Sequence, residues 1–542
     1  MDDGAFDVYK YNIKELEKVL IKWSDIDNKL LSKTIHLKYF EDYFNNIGAK
    51  TIVVERKYVD KDYLEDFAAY YVRCFHPYDR FCARLHFFDK EIKDNNDFKS
   101  LISKPDDEKI KELQEGYIGF IVVKPLPLTI IGKTCLKTYD DDGGRRNYPI
   151  VRTYKANLFG IPLHTKTIAY QEQDSTVSAC ASTAIWAAFQ GTGILFQHQI
   201  PSPVEITKAA TYHTPFSNRH FPNKGLSIEQ MAHAVRNVGL EPFLIDVSKV
   251  VTNPRKKFLS YHLCKGTAYA YLKAKIPLIF GFKLHDTTSY GSGINPRFMQ
   301  SQSKHAVTIT GYSLKPKTKP DKFFEQDFYL TSSRIDEIYV HDDGVGPFAR
   351  MKFDKIEPTV LGRTDSLSTS WINHNDTSGD VRAIPEILLI ALNHKIRIPY
   401  NRILNIIREF NSYLVPGYSN RITKIEWDIH LIEISEYKNF ILHTPNINEE
   451  ERFRLVTKDL PKYLWRALAK VDDNVLLFDI LFDATDIEQG ELFNDLVIFE
   501  SSYVELLKTY FTYCPYNSKT VFSPPEKAIL SAIENHAPNE KP

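Results

Sequence analysis

Two helix starts written into the middle of the chain constrain its fold more than any other feature. Ser202-Pro203-Val204-Glu205 and Ser227-Ile228-Glu229-Gln230 each place a serine three residues before a Glu or Gln. The serine hydroxyl and the longer side chain can then satisfy each other's backbone N–H groups, and Pro203 adds a residue preset for the first helical turn. The second helix should stop near Gly239. A third, from about Thr267 to Lys275, runs into Ile276-Pro277 and then the apolar strand Leu278-Ile279-Phe280-Gly281-Phe282. From about 170 to 360 the order is therefore helices first and strands after.

Both flanks read differently from this middle. At 542 residues the chain exceeds what one growing core holds, so two to four domains are expected. Leu16, Val19, Leu20, Trp23 and Ile26 recur at helical steps between 13 and about 48. A strand at Thr51-Ile52-Val53-Val54-Glu55, a helix from Tyr63 to Cys74 and a strand from Tyr117 to Val123 follow. The charged turn Asp140 to Arg146 reads as a solvated loop, with a boundary placed between about 145 and 170. Beyond about 365 the pattern predicts helices over 384–394, 401–413 and 461–470, a strand over 427–434 and an apolar run over 475–482. The expected organisation is an α+β chain with an N-terminal domain over 1–160, a central domain over 161–360 and a C-terminal domain over 361–542.

Composition narrows the classes. Lys+Arg and Asp+Glu both number 69, with no basic block of the kind a nucleic-acid groove favours, so nucleic acid is not an expected partner. The first residues lack a positive segment followed by an apolar one, and no window approaches eighteen apolar residues; no membrane segment and a cytoplasmic location are expected. The six cysteines have no paired spacing, which fits reduced thiols.

One cysteine has neighbours suited to chemistry. Ser178-Ala179-Cys180-Ala181-Ser182 is rich in small residues and opens an apolar helical stretch, where the helix N-terminus favours a thiolate. Taken by itself the pattern fits a buried structural thiol on a core helix better. A second element is His305-Ala306-Val307-Thr308-Ile309-Thr310-Gly311-Tyr312, a histidine heading an apolar strand that ends in Gly-Tyr. A third, Ile338-Tyr339-Val340-His341-Asp342-Asp343-Gly344, is a strand running into two carboxylates and a turn.

Taken in this order, the three elements over about 170–355 resemble the papain-like cysteine peptidases, closest in style to the bacteriocin-processing double-glycine group. The resemblance implies a helical half packed on an antiparallel sheet, flanked here by two α+β domains. It implies Cys180 as nucleophile, His305 as general base, Asp342 as the acid orienting it with Asp343 as the alternative, and Gln173 as oxyanion-hole donor. If the strand persists through Asp343, alternation lets only one of the two carboxylates face His305. The expected activity is hydrolysis of a peptide or isopeptide bond in a protein or peptide substrate through an acyl-enzyme, with no cofactor. The alternatives are a Cys-His-Asp acyl transferase, transglutaminase or deamidase, and an inactive peptidase-like binding or sensing protein; the flanking domains would recruit a partner protein or restrict access.

Other residues carry less. His213 and His220 lie at a spacing without an acidic or Cys partner, so no metal is expected. Arg145-Arg146 and Arg255-Lys256-Lys257 read as solvated surface. The glycines Gly281, Gly291 and Gly293 lack the Lys-Ser/Thr of a phosphate loop and read as a loop before the His strand.

Overall fold

The computed structural model describes residues 4–174, 176–212, 225–247, 259–286, 304–315, 328–355, 365–368, 381–414, 425–445, 447–471, 475–488, 490, 492–503, 505, 507–508 and 522–535. His213, His220, Gly291, Gly293, Cys514, Arg255-Lys256-Lys257 and most of the charged stretch after Lys315 lie outside these residues.

Along the chain, β1 (Phe6–Lys10) is followed by the helices α1 (Ile13–Lys22), α2 (Asn28–Leu31) and α3 (Ile35–Ile47). Then come β2 (Thr51–Tyr58), α4 (Lys61–Ala69), β3 (Cys82–Phe88), α5 (Asn95–Ser103), α6 (Asp107–Glu115), β4 (Tyr117–Val123) and β5 (Ile131–Leu136). These strands form a five-stranded antiparallel sheet in the order β1-β2-β3-β4-β5. The segment expected to be a boundary holds structure of its own: β6 (Arg146–Asn147) and an antiparallel hairpin of β7 (Arg152–Leu158) and β8 (Ile161–Thr167).

Next, α7 (Cys180–Leu195), α8 (Pro203–Thr211) and α9 (Ile228–Asn237) precede β9 (Glu241–Asp246) and α10 (Leu259–Lys273). Both capping boxes form: Ser202 N–H donates to Glu205 at 3.1 Å and Ser227 N–H to Gln230 at 2.8 Å. β10 (Leu278–Asp286), β11 (Lys304–Leu314), β12 (Tyr329–Leu330), β13 (Ile335–Asp342), β14 (Gly346–Lys355), β15 (Asp365–Ser368) and β16 (Val381–Leu392) follow. Gly281 thus sits inside β10 rather than in a loop. β10, β11, β13, β14, β15 and β16 pair in that order, and β16 also pairs with β10, so the ladder closes on itself; β9 extends it from β16. This sheet extends past residue 360, since β15 and β16 are hydrogen-bonded members of it.

The helix expected over 384–394 is therefore strand β16. Its side chains from Leu388 to Leu392 are all buried, and a run covered on both faces carries no period that separates a strand from a helix. Pro385 is accommodated beside a register shift between Gly281 and Phe282. The last part of the chain holds α11 (Tyr400–Leu414), β17 (Glu426–Glu433), α12 (Ile434–His443), α13 (Glu449–Thr457), β18 (Tyr463–Val471), β19 (Val475–Asp483), β20 (Phe493–Ile498) and α14 (Pro524–Glu534). β17 to β20 form an antiparallel sheet to which β12 adds in parallel. The helix expected over 461–470 is its strand β18. The helix formers Leu464, Arg466, Ala467, Leu468 and Ala469 are overridden by burial between two neighbours, and Arg466 is carried inside by Asp479 across the ladder, with N–O distances of 2.8 and 2.9 Å. Helices and antiparallel sheets together give a mixed α+β protein.

Packing does not respect the expected boundaries. One apolar cluster joins Leu16, Tyr39 and Phe44 to Tyr271, Tyr339 and Trp465. Arg145 and Arg146, expected on the solvated surface, are drawn onto β11: Arg145 Nε donates to the Leu314 carbonyl at 3.0 Å and a terminal nitrogen to Asp336 at 3.0 Å, while β6 pairs with Tyr312 and Ser313. This close approach explains Gly311, since a Cβ there would meet the Asn147 carbonyl oxygen at 2.5 Å and the Tyr148 ring at 2.7 Å. Gly311→Ala is expected to cost about 1–3 kcal/mol through overpacking against backbone, seen as a lower melting temperature in calorimetry.

Candidate active site

α7 is apolar on every side, and Ile185, Trp186 and Phe189 are fully buried. Such a helix must be surrounded, and it packs on β10, β11 and β13 on one side and α8 and α9 on the other. Its middle is enclosed and its two ends reach the surface, with Ile194 exposed at one and Cys180, its first residue, half-buried at the other. The entering loop is held by Asp174, whose carboxylate accepts from Thr176 N–H at 2.8 Å, Val177 N–H at 3.1 Å and Tyr71 Oη–H at 2.7 Å. At the helix start, Ala179 N–H donates to Ser182 Oγ at 3.4 Å.

β11 brings the histidine. Thr308, fully buried, donates its hydroxyl to the Ala184 carbonyl of α7 at 2.6 Å, tying the His strand to the Cys helix. His305 lies near the start of β11, opposite Phe282 of β10, whose ring meets the imidazole edge-on at 5.5 Å. The Cys180 thiol is near enough to act on its charge, and both side chains line one cleft. The His305 Nε2 is 2.9 Å from Asp342 Oδ1, which leaves Nδ1 for the sulfur.

The acid side differs from the expectation in one respect. β13 ends at Asp342, and the chain turns at Asp343, so strand alternation does not separate the two carboxylates. Asp342 makes the hydrogen bond, and Asp343 Oδ1 also approaches His305 Nε2, at 3.5 Å. Asp342 Oδ1 accepts in addition from Gly344 N–H at 3.0 Å. His341 points to the other face, between the rings of Tyr170 and Phe348.

The N-terminal part of the chain holds this turn from behind. His36 of α3 bonds the Asp343 carbonyl through Nε2 at 2.9 Å, and Tyr170 Oη–H donates to the same carbonyl at 3.2 Å. Tyr39 donates its hydroxyl to the Pro347 carbonyl and lies against Gly346, where a Cβ would meet its ring at 2.4 Å.

The charges pull against one another. Burial pushes the His305 imidazole down, but Asp342 and Asp343, with the hydrogen bond to Asp342 and the nearby Cys180 thiol, hold it well above its ordinary value. Burial pushes Asp342 up, and the His305 charge, the His305 bond and Gly344 N–H bring it below the usual carboxylate range. Burial raises Asp343 to about 6; His305 opposes that rise and Asp342 adds to it.

Cys180 and His305 stand at the wall of a cleft of about 310 Å³, with Met231 of α9, Ile279 of β10 and Leu389 of β16 supplying apolar surface and Glu386 a carboxylate. Gln173 is half-buried in the loop before α7 and is not among the residues lining this cleft; Gln171 is buried, its Nε2 lacking a hydrogen-bond partner. Donor atoms of His305, Asp342 and Asp343 lie within 4.8 Å of one another, so these three could hold a divalent cation. A cation would first have to part the 2.9 Å contact between Nε2 and Oδ1.

Sequence reasoning missed Asp174, Thr308 and His36. Asp174 had a local signal, an Asp two residues before Thr176 in the pattern of an Asx-turn. The other two act only through partners distant in sequence. No protein-family model matches this sequence, and no curated protein does.

The sign of the pH dependence follows from these shifts. A raised His305 contributes stability that is fully present below about pH 6.5 and lost as pH rises through its folded value. A lowered Asp342 contributes stability present above about pH 3.9 and lost as pH falls. Asp342→Asn is therefore expected to bring the His305 titration down toward the ordinary imidazole value and Asp343→Asn to do so less, both read from the ring resonances by NMR.

Proposed function

We propose that this chain is a papain-like cysteine peptidase, hydrolysing a peptide or isopeptide bond in a protein or peptide substrate, with flanking regions that limit access or recruit a partner protein. The observation that carries the proposal is one imidazole hydrogen-bonded to a buried carboxylate and standing with a half-buried thiol at the wall of one cleft. The helix-then-sheet order around α7 and the closed ladder of β10 to β16 agree with the helical and sheet halves of such a fold. A cytoplasmic setting is part of the same proposal, supported by free thiols at the five described cysteines.

The chemistry follows from the geometry. Asp342 holds Nε2–H, so the ring is aligned with Nδ1 toward the sulfur, and the paired carboxylates favour the imidazolium. The Cys180 thiolate attacks the substrate carbonyl carbon, and the oxyanion forms at the N-terminus of α7, where the backbone N–H of Cys180 is a donor. His305 gives its Nδ1 proton to the leaving amine as the C–N bond breaks, leaving a thioester. Water, giving a proton back to His305, then attacks the thioester and releases the acid with Cys180 restored.

The test is alkylation by iodoacetamide with intact-mass and peptide readout. Cys82 and Cys135 are buried with thiols pushed up, the latter to about 12, so half-buried Cys74 is the internal reference. Cys180 is expected to label at least about tenfold faster than Cys74, and the advantage to vanish in His305→Ala, within the range that a positioned acid/base group supplies. Cleavage of a denatured protein should disappear in Cys180→Ala and persist with chelator. Equal labelling of Cys74 and Cys180, unchanged by His305→Ala, would overturn the proposal.

A further inference from the structure

A second cavity, of about 260 Å³, opens between α1 to α3 and the segment entering β5. Leu20, Ile26, Leu31 and Phe40 form its body. Leu30 and Leu128, which also line it, are 48% and 50% exposed, an apolar rim facing solvent. His36 and Glu172 are its ionisable residues, and Thr34 and Thr129 also line it.

The polar end is fixed from behind. His36 Nε2 donates to the Asp343 carbonyl, which can only accept, and lies 3.1 Å from Tyr170 Oη, so its Nδ1 faces Glu172. Glu172 Oε2 accepts from Ile131 N–H at 2.9 Å. Its Oε1 stands 3.8 Å from His36 Nδ1, beyond hydrogen-bond reach. Glu172 Oε1 thus brings a negative charge to the end of an apolar pocket, with no hydrogen bond of its own among the described residues. A carboxylate ligand brings no proton and an alcohol only one, whereas an alkylammonium brings three and the charge opposite to Glu172.

We propose that this cavity binds a primary aliphatic amine, its ammonium on Glu172 Oε1 and its chain among the leucines. A volume just under the roughly 300 Å³ at which drug-sized sites begin fits a short or medium chain. The site is distinct from the Cys180 cleft and does not depend on the activity proposed for it. It lies one ring away from that cleft, because His36 also holds the Asp343 carbonyl.

The probe is n-hexylamine, titrated into the full chain by isothermal calorimetry, with hexanoate and 1-hexanol as controls of equal length. Hexylamine is expected to bind about tenfold or more tighter than either control, and to lose about tenfold in Glu172→Gln, which keeps an acceptor for Ile131 N–H. Leu128→Lys, on the exposed rim, should weaken hexylamine and spare hexanol, giving a second reading should Glu172→Gln fail to fold. Absence of hexylamine binding at millimolar concentration, equal affinity for the alcohol or the acid, or indifference to both substitutions would overturn the assignment.

Discussion

A helix with no polar face is the constraint around which this protein is arranged. α7 cannot lie on a surface, so the sheet of β10, β11 and β13 and the helices α8 and α9 must close over its middle, leaving its first residue and its last turn within reach of solvent. Burial this complete fixes the helix axis but not its position along that axis. The Thr308 hydroxyl on the Ala184 carbonyl supplies the missing coordinate. Ala184 sits one turn inside Cys180 and Thr308 three strand residues inside His305, so this buried hydrogen bond couples the two elements that carry thiol and imidazole.

The acid end is organised differently, by charge rather than by packing. Two adjacent buried carboxylates face one imidazole, and they do not ionise alike: Asp342 is held low by the ring and by Gly344 N–H, while Asp343 is raised. The arrangement survives because the backbone at that turn is held independently, by His36, Tyr170 and Tyr39 from parts of the chain well before the sheet. Residues over 1–160 are thus structural neighbours of the cleft as well as a sheet of their own.

How much of this was legible in the sequence depends on whether a residue's role is local. Capping boxes are read over four residues, and both helices begin where their serines place them. The strand opened by His305 and the turn after Asp342 are local patterns too. Residues 381–392 and 463–471 were misread because strands covered on both faces lose their alternation, and Arg466 reads as a helix former until Asp479 is placed beside it. The Asp342–Asp343 ambiguity turned on where one strand stops, a boundary that periodicity does not fix. His36 left no trace in its own neighbourhood, because its partner is a backbone carbonyl 307 residues away.

That separation has a consequence in time. The residue that anchors the turn leaves the ribosome early, and the turn itself emerges 307 residues later. At about 5–20 residues per second this is a delay of roughly 15–60 s. Once Cys180 has emerged within that interval, the nascent chain carries it without its imidazole for 125 residues and without its anchored carboxylates until the end. The arrangement is completed only when the turn after β13 has been made, so thiol, imidazole and carboxylates meet long after the residue that anchors them is in place.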